Sequence, residues 1–100
     1  MNKETLQKYS EYFDFEALLE DIRSYLPKFN EDKFVEAFEF AERYHRNQKR
    51  KSGEPYILHP VETVKNLVKL RVDEDTLIAG LLHDVPEDTE ATLEQIENAF

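Results

Sequence analysis

The sequence predicts an all-α fold, and three observations carry that expectation. Apolar residues recur at helical spacing along nearly the whole chain. No stretch alternates with period two for long enough to make a strand. The breakers are few, two Gly and four Pro, and most stand between the periodic runs rather than inside them.

Taken in order, residues 3–12 read as a short polar helix. Asp14 suits the cap of the next helix, and Phe15, Leu18, Leu19, Ile22 and Leu26 form one apolar stripe. Pro27 stops it, because proline has no N–H and restrains the residue before it. Asn30 caps a helix expected over 31–48, with Glu31 and Asp32 at the positive end of its dipole. Its inward stripe is Phe34, Phe38, Ala41, His45 and Gln48, which gives His45 a buried, structural place. Lys51-Ser52-Gly53-Glu54-Pro55 is a turn. Pro60 fits a first helical turn, where its missing N–H costs little, and Val61, Val64, Leu67 and Val68 follow as an apolar face. Asp73 caps a helix whose Leu77, Ile78, Leu81, Leu82 and Val85 make the richest stripe of the chain. Thr92 and Gln95 match a capping box, with Leu93, Ile96 and Phe100 expected to face inward. The chain stops on that helix without a cap, which reads as a longer protein cut after about five helices. The stripes of the last two helices are then expected to lie partly open, and self-association through that surface is expected.

Composition narrows the functions. The 100 residues carry 22 Asp plus Glu against 13 Lys plus Arg, a formal net charge of -9. Binding along a nucleic acid needs many cationic contacts, so no direct nucleic-acid role is expected. The longest nearly apolar run, residues 77–82, is far short of the roughly 20 residues a membrane helix needs. No apolar signal region opens the sequence, and a cytoplasmic location is expected. With no Cys, thiolate metal sites and thiol nucleophiles are excluded. Against the acidic background, Arg43, Arg46, Lys49, Arg50 and Lys51 form a local basic patch, better suited to a small phosphorylated ligand than to a polymer.

The chemistry-bearing residues cluster late. His83 and Asp84 are adjacent, at the end of the most apolar helix. An imidazole and a carboxylate are costly beside Leu81, Leu82 and Val85 unless something compensates them, and a divalent cation would. Neighbouring helix positions point about 100° apart, so both can reach an ion at the helix shoulder. His59, at the entrance of its own helix, is a candidate third ligand. Such a mixed set suits Mn²⁺, Fe²⁺ or Zn²⁺ better than Ca²⁺. The competing reading of His83 is a satisfied core or cap histidine. Glu87 and Asp88 follow one turn later, either as a solvated turn or as an acid pair passing protons to and from water. Pro86 interrupts the helix between them and the ligands, so that spacing is approximate. Lys49-Arg50-Lys51-Ser52-Gly53 is either a solvated basic turn or a nucleotide grip. It lacks the repeated glycine spacing of a P-loop or a Rossmann turn.

Two strings decide between these readings. The first is Ala41-x-x-Tyr44-His45-x-x-Gln48-x-Arg50-Lys51-Ser52-Gly53-Glu54-Pro55-Tyr56-Ile57-x-His59-Pro60, and the second is Leu81-Leu82-His83-Asp84-Val85-x-Glu87-Asp88-Thr89. Together they resemble the hydrolase domain of the RelA/SpoT-type alarmone synthetase/hydrolases, over about residues 31–100. Residues 1–30 look like an N-terminal helical extension of the long members. The resemblance implies an HD phosphohydrolase-type helical domain that removes the 3′-pyrophosphate of (p)ppGpp, usually with Mn²⁺. By position, His59, His83 and Asp84 look like three of four metal ligands, and Glu87 and Asp88 like the acid pair acting on the attacking water. Arg50 matches the residue that packs on guanine, with Lys51 and Ser52 beside it. The family's fourth ligand is an Asp beyond position 100, so this segment alone is expected to hold metal weakly and turn over little. Two rivals remain: a non-catalytic regulatory module of a synthetase-dominant member, and an HD phosphohydrolase for another nucleotide.

Overall fold

The structure, a computed structural model, describes residues 7–85 and 93–99. Among these, α1 spans Phe15–Tyr25, α2 Glu31–His45, α3 Leu58–Lys69, α4 Glu74–Leu82 and α5 Leu93–Ala99. The described residues form no named strand, only an isolated antiparallel bridge between Lys49 and Pro55. The fold is all-α, as the periodicity requires.

Local chemistry sets the helix starts. Asp14, Asn30 and Asp73 each accept a hydrogen bond from a backbone N–H three residues on, at Ala17 (3.1 Å), Lys33 (3.1 Å) and Thr76 (2.8 Å). The Thr76 hydroxyl, together with that backbone N–H, holds the Asp73 carboxyl below its ordinary range. The ends follow too. The chain leaves α1 at Leu26, before Pro27. After α3, Arg71 takes a left-handed conformation (φ 53°) and turns the chain into α4.

The apolar stripes meet in one core. Phe15 lies 4.7 Å from Phe38, ring to ring, and Leu18, Leu19 and Ile22 are buried beside them. Helix α4 packs against both α2 and α3. At Gly80 the approach to α3 is so close that an added Cβ would stand 2.8 Å from Leu67 Cδ1. Full burial of a side chain of this kind contributes roughly 1.5–3 kcal/mol, and the rows on α1, α2 and α4 supply many.

Four expectations are corrected. The helix expected over 3–12 reaches only Lys8 among the described residues, because Tyr9 turns inward and its carbonyl accepts from the N–H groups of Tyr12 and Phe13. The helix expected to reach Gln48 ends at His45. There the Gln48 N–H closes a turn onto the His45 carbonyl, and the Gln48 carbonyl accepts from the Tyr56 N–H (3.0 Å). The α4 stripe is buried rather than open, since α2 and α3 already cover Leu77, Ile78, Leu81 and Leu82. In α5, Leu93 points out to solvent, and Ile96 alone of the expected stripe is seen against the core. Thr92 and Phe100 lie outside the described residues.

One acid is buried away from any ligand cluster. Glu42, 2% exposed, accepts from the Tyr9 hydroxyl (2.8 Å) and from Arg46 Nη2 (2.8 Å) and Nε (3.1 Å). Burial works to raise its carboxyl pKa, but the bonds from Arg46 and Tyr9 outweigh that and hold it below the ordinary range. Burial and the same carboxylate push the Tyr9 phenol up. The network pins the segment before α1 onto α2.

Candidate metal centre

Helices α3 and α4 run antiparallel, joined by residues 70–73. The start of α3 and the end of α4 therefore share one end of the pair. His59 is the second residue of α3, while His83 caps the end of α4 with Asp84 next to it. One ligand atom from each of His59, His83 and Asp84 lies within 4.8 Å of the others. His59 Nε2 stands 3.2 Å from Asp84 Oδ2, and His83 Nε2 stands 3.2 Å from Asp84 Oδ1. Ligands around one first-row ion, with bonds near 2.0–2.1 Å, stand about 3.0–3.4 Å apart, and both His–Asp84 distances fall in that range.

The hydrogen bonds agree with that donor set. His83 Nδ1 is 2.8 Å from the Gly80 carbonyl, which can only accept. Nδ1 therefore carries the proton, and in the neutral ring Nε2 turns a lone pair toward Asp84. A lone pair facing a carboxylate oxygen is repelled unless a proton or a cation lies between them. The donor set of two imidazoles and a carboxylate fits a divalent first-row ion. The carboxylate is largely shielded, at 14% side-chain exposure against 42% and 43% for the imidazoles, so the open side is that of the histidines.

The sequence also has relatives. A family model described as an HD domain matches residues 37–100. The chain belongs to the HD domain family, in its RelA/SpoT-type branch. It is 46% identical over 82 residues to the guanosine-3′,5′-bis(diphosphate) 3′-pyrophosphohydrolase of Aquifex aeolicus, covering 82% of this chain and 12% of that one. It is 44% identical over 86 residues to the bifunctional (p)ppGpp synthase/hydrolase SpoT of Escherichia coli, covering 86% and 12%. To the GTP pyrophosphokinase of Streptomyces coelicolor it is 47% identical over 88 residues, covering 85% and 10%. This chain thus spans about a tenth of those relatives. Among solved structures it resembles a metazoan ortholog of SpoT, described as hydrolysing ppGpp, with 36% identity, a TM-score of 0.63, and coverage of 73% of this chain and 43% of that one.

In this HD domain the other sequence-predicted residues fall differently. Arg50 sits in the turn closed by its own N–H to the Glu54 carbonyl (2.8 Å) and by the Gly53 N–H to the Arg50 carbonyl (2.8 Å). Gly53 has φ +90°, a conformation that favours glycine. The Arg50 guanidinium pairs with Glu62 of α3 at 3.0 Å, which ties the basic turn to the helix that carries His59. Lys51 and Ser52 are exposed, with the Ser52 hydroxyl on Glu54 (3.1 Å). Glu87 and Asp88 lie outside the described residues. His45 is buried as expected, its Nδ1 2.8 Å from Gln48 Oε1, and its Nε2 has no hydrogen-bond partner among the described residues.

Sequence reasoning assigned no role to Tyr56 or Glu62. Tyr56 stands three residues before His59, inside the first string, and its hydroxyl donates to Asp84 Oδ2 at 3.2 Å. Glu62 stands three residues after His59, on the same side of α3 as the ligand, which was the available signal.

Proposed function

We propose that this HD domain segment serves a metal-dependent guanosine-3′,5′-bis(diphosphate) 3′-pyrophosphohydrolase, acting on (p)ppGpp to give GDP or GTP and pyrophosphate within a bifunctional synthetase/hydrolase of the cytoplasm. The observation that carries the proposal is the convergence of His59, His83 and Asp84 to within 4.8 Å. These three would hold the ion, with Mn²⁺ as the first choice by family likeness. When bound, a divalent ion supplies positive charge opposite the diphosphate and lowers the pKa of nearby water.

The chain's own residues do the rest. Glu87 or Asp88 takes a proton from the attacking water and manages its return to the departing 3′-oxygen. The water oxygen joins phosphorus as the bond from phosphorus to that 3′-oxygen breaks. Arg50, released from Glu62, packs on the guanine, with Lys51 and Ser52 beside it. A fourth ligand, an Asp later in the polypeptide, completes the site, so the 100-residue segment alone holds Mn²⁺ weakly and turns over little. Exposed Leu70 and Leu93 are where self-association would begin.

The name of the Streptomyces relative, GTP pyrophosphokinase, favours a second reading: a regulatory HD module of a synthetase-dominant protein. Labelled ppGpp given to the longer polypeptide that carries this segment separates the two by thin-layer chromatography. Mn²⁺-dependent release of pyrophosphate, lost in Asp84→Ala, is the expected result. Unchanged Mn²⁺-dependent hydrolysis by Asp84→Ala would overturn the ligand assignment. No hydrolysis by the unaltered protein would leave the regulatory reading. Micromolar Mn²⁺ binding with turnover by the isolated segment would refute the need for a further ligand.

A further inference from the structure

Tyr56 touches two of the three candidate ligands, His59 and Asp84, and the end of the segment that follows α2. Its N–H donates to the Gln48 carbonyl (3.0 Å), and its carbonyl accepts from the His59 N–H (2.9 Å). Its ring lies 4.7 Å from the buried His45 imidazole and 5.8 Å from that of His59. Its hydroxyl reaches Asp84 Oδ2, 28 residues further along the chain. The adjacent bridge between Lys49 and Pro55 closes the basic turn that carries Arg50.

Packing alone does not require that hydroxyl, because a phenylalanine ring would fill the same space against His45. The hydroxyl has a use at the carboxylate. Asp84 is largely shielded from water and depends on protein donors. Its other close neighbours, His59 Nε2 and His83 Nε2, are the nitrogens that an ion would occupy. A phenol that donates to Oδ2 would keep its bond if those nitrogens turned to a metal, and it would leave Oδ1 available as a ligand. Hydrogen bonds of this kind fix the orientation of a ligating carboxylate.

We propose that Tyr56 is a positioning residue: its hydroxyl holds the Asp84 carboxylate in place for a divalent ion, and its backbone and ring fix that carboxylate relative to the basic turn. The proposal rests on reading His59, His83 and Asp84 as ligands, so its test must separate the two.

The test uses the 100-residue chain and its Tyr56→Phe and Asp84→Ala variants. Mn²⁺ binding is followed by the free-ion electron paramagnetic resonance signal to millimolar metal. Co²⁺ visible spectra and metal-free thermal unfolding are recorded alongside. Tyr56→Phe is expected to bind Mn²⁺ about tenfold more weakly. It should also change the Co²⁺ spectrum at saturation, with an unfolding midpoint within about 2 °C of the unaltered chain. Equal affinity and an identical Co²⁺ spectrum in Tyr56→Phe, with binding still lost in Asp84→Ala, would overturn the positioning role and leave the ligand reading standing. Equal binding by Asp84→Ala would remove the ligand reading and this role with it. If Tyr56→Phe unfolds, the ring resonances of Tyr56 in the unaltered chain, titrated with diamagnetic Zn²⁺, decide instead. Movement in step with His59 and His83 supports the role, and an unmoved ring overturns it.

Discussion

Glu42 and Asp84 are two shielded carboxylates that the fold treats in opposite ways. Each accepts a hydrogen bond from a tyrosine, Tyr9 at 2.8 Å and Tyr56 at 3.2 Å. At Glu42 the charge is answered by Arg46, a permanent cation that presents two N–H groups to it. At Asp84 the facing groups are two imidazoles, which answer a negative charge only when they carry a proton or share a cation. The first charge is met by a permanent cation of the polypeptide, whereas the second faces no lysine or arginine partner among the described residues. The lesson is that burial of an acid does not by itself mark a functional centre. What matters is whether its partners can neutralise it unaided.

The largest expected effect comes from removing the acid of the open site. Asp84→Ala should abolish Mn²⁺ binding by titration while the metal-free chain stays folded by circular dichroism, since no permanent cation is left stranded. Retained binding would erase the contrast. Next, Glu42→Gln should leave Mn²⁺ binding in place and destabilise the chain by about 2 kcal/mol in urea unfolding, the scale of losing charged hydrogen bonds at a shielded site. This loss should depend on pH. The Glu42 carboxyl is held below its ordinary value of 4.5 in the fold, so its contribution is fully present above that value. It is lost as pH falls through the lower folded value. The stability gap between the unaltered chain and Glu42→Gln should therefore narrow in acid, and a constant gap would contradict the charge-based account. Tyr9→Phe, which removes one donor and keeps Arg46, should cost about 1 kcal/mol by the same measurement. The smallest effect belongs to a third acid, Glu62, whose pair with Arg50 is exposed. Glu62→Gln should shift stability by under about 1 kcal/mol, since solvent and salt screen such pairs.

How far the sequence revealed these features depends on how local their causes are. Asp14, Asn30 and Asp73 cap helices through bonds that span three residues, and a reader of the sequence finds all three. The apolar stripes identified the inward face of each helix but not the partner it meets, which is why α4 proved already covered and Leu93 proved exposed. The end of α2 was misjudged because its cause is non-local: Tyr56, eight residues beyond Gln48, takes up the Gln48 carbonyl. Glu42 was overlooked although it sits four residues after Phe38 and three before His45, squarely on the buried face. The pattern held the signal, but a charged residue in a chain rich in Glu reads as surface until its partners are seen. His59, His83 and Asp84 were grouped by their chemistry and motif, and their convergence required the antiparallel pairing of α3 and α4.

That pairing makes residues 70–73 a gauge for events at the far end. The twelve residues of α3, Leu58–Lys69, span about 18 Å, and the nine of α4 retrace most of that length. One residue inserted in either helix would rotate everything beyond it by about 100° and carry Asp84 round the axis, away from His59. The tolerance of this fold for length changes is therefore narrowest along two rods whose surfaces, over most of their length, touch no ligand at all.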